Sequence, residues 1–158
     1  MTFVETVKSK LSEWNPEPGR QTLSVQEDHD TGWNLNLTTD RKETLGSEVW
    51  DLQLSGKGEK LDLESWAQQV AQREQNGLLE SLRLIEMDRQ QEIAVLRSGD
   101  PAKQNEDVFY YEVNLHSQRQ ATVRRYRASR TGTCKREQIG YTLTHEALLQ
   151  LIADLIPQ

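Results

Sequence analysis

The fold of this chain is decided by residues 108–128, which read VFYYEVNLHSQRQATVRRYRA. The first part is rich in aromatic and β-branched residues and places every second side chain, from Phe109 to Leu115, on one face of a strand. Residues 121–128 form a second strand-like run, and the polar residues between the two runs are typical of a hairpin turn. The segment therefore predicts a β-hairpin with one apolar and one polar face, as in a sheet that is covered on one side.

Shorter segments on both sides of this hairpin repeat the two-residue alternation. They lie around Leu23, Leu35, Leu52, Leu84, Val95 and Ile139. Three other segments have helical spacing: residues 3–14, a run that follows Asp62, and a run that follows Thr144, where Asp62 and Thr144 are N-cap residues. Because the connections between strands are short, we expect antiparallel pairing.

We therefore predict an α+β fold in which a mostly antiparallel sheet of about 6–8 strands carries an N-terminal, a middle and a C-terminal helix. Residues 1–158 are expected to form a single domain. The four tryptophans fall on apolar faces and are expected in the core. If one face of the sheet is uncovered, Trp33 and Trp50 are candidates for lining a groove on it.

The composition indicates a globular domain with a small fraction of apolar residues. Leu, Ile, Val and Phe make up 36 of the 158 residues, about 23%, just above the ~20% below which highly charged chains tend to stay disordered. No apolar run approaches the ~20 residues that cross a bilayer, and the first residues lack the apolar segment of a secretory signal. We therefore expect a soluble, cytoplasmic protein that does not bind membranes. A single cysteine excludes disulfide frameworks and multi-cysteine zinc sites.

The net charge of −6 is unevenly distributed. Residues 1–118 carry 12 basic and 22 acidic side chains, whereas residues 119–158 carry 7 basic and 3 acidic ones. All seven basic residues of the second part lie between Arg119 and Arg136, with no acidic residue among them. This basic segment, residues 119–136, is the most unusual feature of the composition and the first place to look for a binding site.

Six residues of the basic segment are candidates for contact with an anion or a partner: Arg124, Arg125, Arg127, Arg130, Tyr126 and Cys134. Arginines around a tyrosine can contact phosphates while the ring stacks on a base, which would indicate nucleic-acid binding. In a purely structural interpretation, the arginines instead pair across the sheet with Glu106, Asp107 and Glu112. A third interpretation is docking of an acidic protein segment or a small anion, because the planar guanidinium group matches a carboxylate or phosphate. Internal pairing is favoured over nucleic-acid binding, since the acidic remainder of the chain would repel a long polyanion.

The sequence lacks the motifs of common catalytic sites, including the phosphate loop, the dinucleotide fingerprint, the zinc-protease helix and the nucleophile elbow. Cys134 lies among basic residues, which favours a reactive thiolate, but no histidine or second cysteine lies beside it in the sequence. Residues 28–30, Asp-His-Asp, suit a metal ion but are equally typical of a turn. We therefore predict no catalytic residue, no cofactor and no metal ion.

The sequence favours a non-enzymatic binding or interaction module that acts through a sheet face or edge. The order of helices and strands is similar in outline to that of small acidic secretion chaperones and also to the helix-covered antiparallel sheets of the PsbP type. This similarity is one of topology alone, and the first of the two implies a chaperone-like or adaptor role. The expected partner is another protein or a second copy of the chain. Two alternatives use the basic segment: an anion- or small-ligand-binding domain or enzyme, and a nucleic-acid-binding protein.

Overall fold

The computed structural model of the chain describes residues 2–26, 32–73, 77–98, 102–104, 107–129 and 135–157. These residues form three helices and ten strands, with all the strands in one antiparallel sheet. The helices are α1 (Phe3–Glu13), α2 (Leu63–Gln72) and α3 (His145–Leu155). The strands are β1 (Gln21–Gln26), β2 (Asn34–Lys42), β3 (Gly46–Ser55), β4 (Leu82–Asp88), β5 (Ile93–Ser98), β6 (Ala102–Gln104), β7 (Asp107–His116), β8 (Gln120–Ser129), β9 (Glu137–Ile139) and β10 (Tyr141–Thr144).

The predicted α+β class, with its antiparallel sheet and three helices, is confirmed. The described part of the chain contains two short strands more than the sequence indicated. β6 lies in a segment that was expected to be a loop, and the last expected strand is divided into β9 and β10. Both additions are three-residue strands that pair with one end of a long neighbour, too short to show an alternation of their own.

The predicted hairpin forms the centre of the sheet. β7 and β8 pair over ten residues, from Asp107 opposite Ser129 to His116 opposite Gln120. The strand order is β1-β2-β3-β8-β7-β5-β4, so the hairpin is flanked by three strands on the side of β8 and by two on the side of β7. The chain reverses through a tight turn in which Arg119 has a φ of 64°.

All three helices pack on one face of this sheet and share one core with it. Asp62 and Thr144 cap α2 and α3 as predicted, through hydrogen bonds from the backbone N–H groups of Ser65 and Ala147. The indole Nε1 of Trp66 in α2 donates to the carbonyl oxygen of Leu155 in α3, at 2.8 Å. The helix-covered face is apolar, and its fully buried members include the following residues: Leu35, Leu52, Leu54, Leu96, Val113, Leu115, Ala121 and Val123.

The opposite face of the sheet is polar and is not covered by the three helices. One row of directly opposed residues crosses five strands of it: Ser24, Asn36, Gln53, Thr122 and Asn114. This alternation of a buried apolar face with a polar face is the expected property of an antiparallel sheet with helices on one side. We call the polar side the uncovered face.

The sheet forks between β3 and β8. These strands pair only from Leu52 to Ser55 of β3, opposite residues 120–123 of β8. Beyond that point β10 pairs with the first part of β3, and β9 pairs with Arg125–Arg127 of β8. The fork therefore brings β9 and the residues next to it beside the second half of the central hairpin.

Gly77 lies in the connection after α2 and packs closely on α3, whereas Gly19 lies in the connection between α1 and β1. Both glycines have a positive φ, so Gly19 serves as the control for Gly77. A Cβ atom on Gly77, at a φ of 80°, would lie 2.3 Å from the carbonyl oxygen of Ala147, whereas a Cβ on Gly19, at a φ of 99°, would meet nothing within 4 Å. We expect Gly19→Ala to lower the free energy of unfolding by about 1 kcal/mol, through backbone strain alone. Gly77→Ala should cost at least about 2 kcal/mol more, because a backbone atom of α3 must move. Urea unfolding of the two variants measures the difference, and equal losses would contradict this packing.

Candidate functional site

The two-residue alternation of β8 sends neighbouring arginines of the basic segment to opposite faces of the sheet. Arg125 is opposite Tyr111 in the register and lies on the helix-covered side with it. Its side chain is only 14% exposed, its Nη1 lies 3.2 Å from Glu80 Oε2, and its guanidinium group lies 4.3 Å from the centre of the Tyr111 ring. Arg125 is therefore held inside the protein and belongs to the packing between the sheet and its helices.

Glu112 lies at the centre of a group of charges on the uncovered face. Its Oε1 atom accepts hydrogen bonds from Arg97 Nε and from Arg136 Nη1, each at 2.9 Å. Arg97 is on β5, directly opposite Glu112, and Arg136 immediately precedes β9. Burial of Glu112 favours its neutral form, but the hydrogen bonds from Arg136 and Arg97 outweigh burial and lower the pKa of the carboxyl group.

Two tyrosines support these arginines. The guanidinium carbon of Arg136 lies 3.9 Å from the centre of the Tyr126 ring, and that of Arg97 lies 5.2 Å from the Tyr110 ring. The two rings lie next to each other, with their centres 5.9 Å apart. Each arginine is thus held by a carboxylate on one side and an aromatic face on another, which reduces the conformational freedom of long side chains.

Arg124 extends the group towards the fork. Its Nε and Nη2 atoms lie 3.0 and 3.4 Å from the two carboxylate oxygens of Asp51 on β3. Arg124 is opposite Glu112 in the register, but its ion-pair partner is Asp51, while Arg97 and Arg136 pair with Glu112. We call these residues together the arginine–tyrosine cluster: Arg97, Arg124, Arg136, Tyr110, Tyr126, Glu112 and Asp51.

The cluster presents its cations outward. The side chains of Arg97 and Arg136 are 41% and 39% exposed, whereas that of Glu112 is 3% exposed. Three guanidinium groups accompany two carboxylates, so the cluster has an excess of one positive charge. Ion pairing has not removed the cationic surface; it has placed the carboxylates beneath it. The arrangement can therefore bind an anion through donors that are already fixed in position.

The predicted site residues divide into four groups. Arg124 and Tyr126 belong to the arginine–tyrosine cluster, while Arg125 is enclosed under the helices. Arg127 is 46% exposed and pairs with Glu137 at the rim. Arg130 and Cys134 lie outside the described residues, as do residues 28–30 and Glu106.

Five members of the cluster were not among the predicted site residues: Arg97, Arg136, Tyr110, Glu112 and Asp51. The alternation of β7 contains a signal for two of them, because positions 110 and 112 fall on the polar face of the predicted hairpin. Arg97 has no such signal, since nothing in the sequence indicates that β5 is the neighbour of β7.

Trp50 is the tryptophan that departs from the expected core position. Trp33 and Trp66 are buried together, with their ring centres 6.4 Å apart, and Trp14 packs on the edge of the core. Trp50 is half-buried outside the core, and Arg20 stacks over its ring at 3.8 Å. Of the two tryptophans considered for an uncovered groove, Trp50 is therefore the accessible one.

Searches of protein-family models, curated proteins and solved structures find no match to this chain. None of the described helices combines the length and apolar character that crossing a membrane requires. The described residues also contain no group of three His, Cys, Asp or Glu side chains placed to hold a metal ion.

Glu112→Gln tests whether the central carboxylate stabilises the cluster. We expect the free energy of unfolding to fall by about 2–3 kcal/mol at neutral pH, because two guanidinium groups lose their shared counter-charge. Since the pKa of Glu112 is lowered in the folded protein, its contribution is present above the usual value of 4.5 and is lost as the pH falls below it. The difference between the natural protein and the variant, measured by denaturant unfolding, should therefore shrink below that pH. The exposed Glu137→Gln is the control, with an expected change within about 0.5 kcal/mol.

Arg125→Gln and Arg127→Gln compare two arginines of one strand. Arg125 is enclosed between Glu80 and Tyr111, so we expect its loss to cost about 2 kcal/mol. Arg127 pairs with Glu137 at an exposed position, so its loss should change stability by no more than about 0.5 kcal/mol. Thermal and urea unfolding measure both values. Similar losses for the two variants would contradict the assignment of Arg125 to the interior.

Proposed function

We propose that this chain is a non-enzymatic binding module, in an adaptor or chaperone-like role, that holds an acidic segment of a partner protein on the uncovered face. The observation that carries the proposal is the layering of the arginine–tyrosine cluster, in which exposed guanidinium groups lie above the buried carboxylate of Glu112. A partner carboxylate that approaches this face meets cations first.

The arginines of the cluster retain hydrogen-bonding capacity. A guanidinium group has five N–H donors. Among the described residues, Arg97 engages Glu112 through Nε, and Arg136 engages Glu112 and Tyr110 through Nη1. No other side-chain hydrogen bond of these two groups is found within the described part of the chain, so their remaining donors can pair with a carboxylate. Bidentate pairing of this kind is among the stronger polar contacts in proteins.

The chemical composition of the cluster also favours a protein partner. Tyrosine, tryptophan and arginine are the residue types most enriched among the few that supply most of the binding energy in protein interfaces. Tyr110 is half-buried beside the buried ring of Tyr126, and the half-buried Trp50 adds a further ring at the fork. The polar row from Ser24 to Asn114 next to the cluster can hydrogen-bond to an extended chain.

An acidic segment suits this surface better than a nucleic acid. A long polyanion would extend beyond the cluster onto a chain whose residues 1–118 carry a formal charge of −10. A short acidic segment contacts only the cluster and avoids that repulsion. Self-association, a cytoplasmic location and a single-domain organisation stay predictions from the sequence.

The experiment measures fluorescence anisotropy of a labelled, flexible peptide of Glu, Asp and Ser, with a Gln/Asn/Ser peptide as the neutral probe. We expect the acidic peptide to bind, and the double variant Arg97→Gln/Arg136→Gln to bind it at least about tenfold more weakly. The control Arg41→Gln/Arg89→Gln makes the same charge change at exposed arginines elsewhere and should bind normally. Arg97→Lys/Arg136→Lys keeps the charge beside Glu112 but removes the planar fork, so it should fold and still bind more weakly.

Four outcomes would overturn the proposal. If the neutral peptide binds as tightly as the acidic one, charge does not drive the binding. If all the variants bind the acidic peptide equally well, the peptide does not bind at the cluster. Tighter binding of a single-stranded oligonucleotide with the same number of charges would favour the nucleic-acid alternative. Equally tight binding of a small dicarboxylate such as succinate would favour the small-ligand alternative.

A further inference from the structure

A second candidate site lies at the opposite end of β3 from the polar row, where α1, the β2–β3 turn and the start of α3 meet. These three elements enclose a cavity of about 720 Å³. This volume falls within the range of pockets that hold small molecules. The cavity shares no lining residue with the arginine–tyrosine cluster.

The floor of the cavity is apolar. Leu11 of α1 and Leu149 of α3 line it, and both belong to or pack against the core. Leu45, next to the lining residue Thr44 in the β2–β3 turn, is 80% exposed. An open apolar side chain beside an apolar floor favours a ligand with a hydrocarbon part, whose burial would remove both surfaces from water.

The rim of the cavity carries two lysines from different elements, Lys8 of α1 and Lys42 at the end of β2. Within the described part of the chain, neither lysine has a carboxylate within ion-pair distance. This distinguishes them from the arginines of the cluster, each of which has an acidic partner. Glu146 is the one acidic residue among the lining residues described, so the lining keeps an excess of one positive charge.

His145 forms part of the wall without adding a charge. Its Nε2 atom lies 2.9 Å from Ser47 Oγ, which fixes the ring. Burial, and then the nearby charge of Lys42, lower the pKa of His145 below its usual value of 6.5. The ring is therefore neutral at pH 7 and serves as a polar wall, while the two lysines supply the charge.

We propose that this cavity binds a small amphipathic carboxylate, with the carboxylate between Lys8 and Lys42 and its apolar chain over Leu11 and Leu149. The lysines come from elements that are far apart in the sequence, so the fold brings the two cations to one opening. An inorganic anion would leave the apolar floor exposed to water, and an amphipathic cation would be repelled by the two lysines. The proposal is independent of the binding of an acidic segment to the arginine–tyrosine cluster.

The test uses octanoate as the probe, in a titration of the ¹⁵N-labelled protein followed by NMR. We expect saturable shifts of the amide signals of Thr44, His145 and Leu149, with acetate and octylamine binding at least about tenfold more weakly. Lys8→Gln/Lys42→Gln should weaken octanoate binding by at least about tenfold. Lys10→Gln/Lys57→Gln, which removes two charges from exposed lysines outside the cavity, should not.

Each of the other outcomes would overturn the proposal. Octylamine that binds as tightly as octanoate would show that the apolar floor acts without the lysines. If both double variants weaken octanoate binding equally, Lys8 and Lys42 act only through the net charge of the protein. Shifts that are confined to the arginine–tyrosine cluster would show that octanoate binds there and not in this cavity. If the amide spectrum shows a folded protein but no saturable shifts, octanoate does not bind in the cavity.

Discussion

The alternation of side chains along the ten-residue ladder between β7 and β8 is the constraint on which the rest of the structure depends. Val113 and Val123 face each other beneath the helices, and the next pair, Glu112 and Arg124, lies on the uncovered face. A slip of one residue between a strand and its neighbours would put charges under the helices and valines into water. The same register therefore specifies both the core and the arginine–tyrosine cluster.

The fork in the sheet explains how a carboxylate becomes buried on a face that none of the three described helices covers. Where β3 leaves β8, β9 takes its place and brings Arg136 over the hairpin, while β5 brings Arg97 from the other side. The two guanidinium groups cover Glu112, and their charge-assisted hydrogen bonds offset the free-energy cost of its lost hydration. The result is a surface whose cations are held in place by anions beneath them, which differs from a line of mobile basic side chains.

Local patterns predicted a large part of this molecule. The hairpin, the α+β class and the caps at Asp62 and Thr144 follow from the properties of neighbouring residues, which the sequence displays directly. The basic segment was also visible as a local excess of charge. The ion-pair partners of these basic residues were not visible in the sequence. The arginines of β8 were expected to pair with acidic residues across the hairpin, but Arg124 pairs with Asp51, 73 residues away along the chain.

The sequence by itself determined which positions are apolar, where the helices and the longer strands lie, and that one segment carries the excess of basic residues. Only the tertiary structure decided which arginines are accessible, because exposure depends on the strands that become neighbours. Arg124 and Arg125 are adjacent in the sequence, yet one lies on the uncovered face and the other beneath the helices. Neighbouring strands are selected by the packing of the whole sheet, and that long-range choice leaves no mark in the pattern of any single segment.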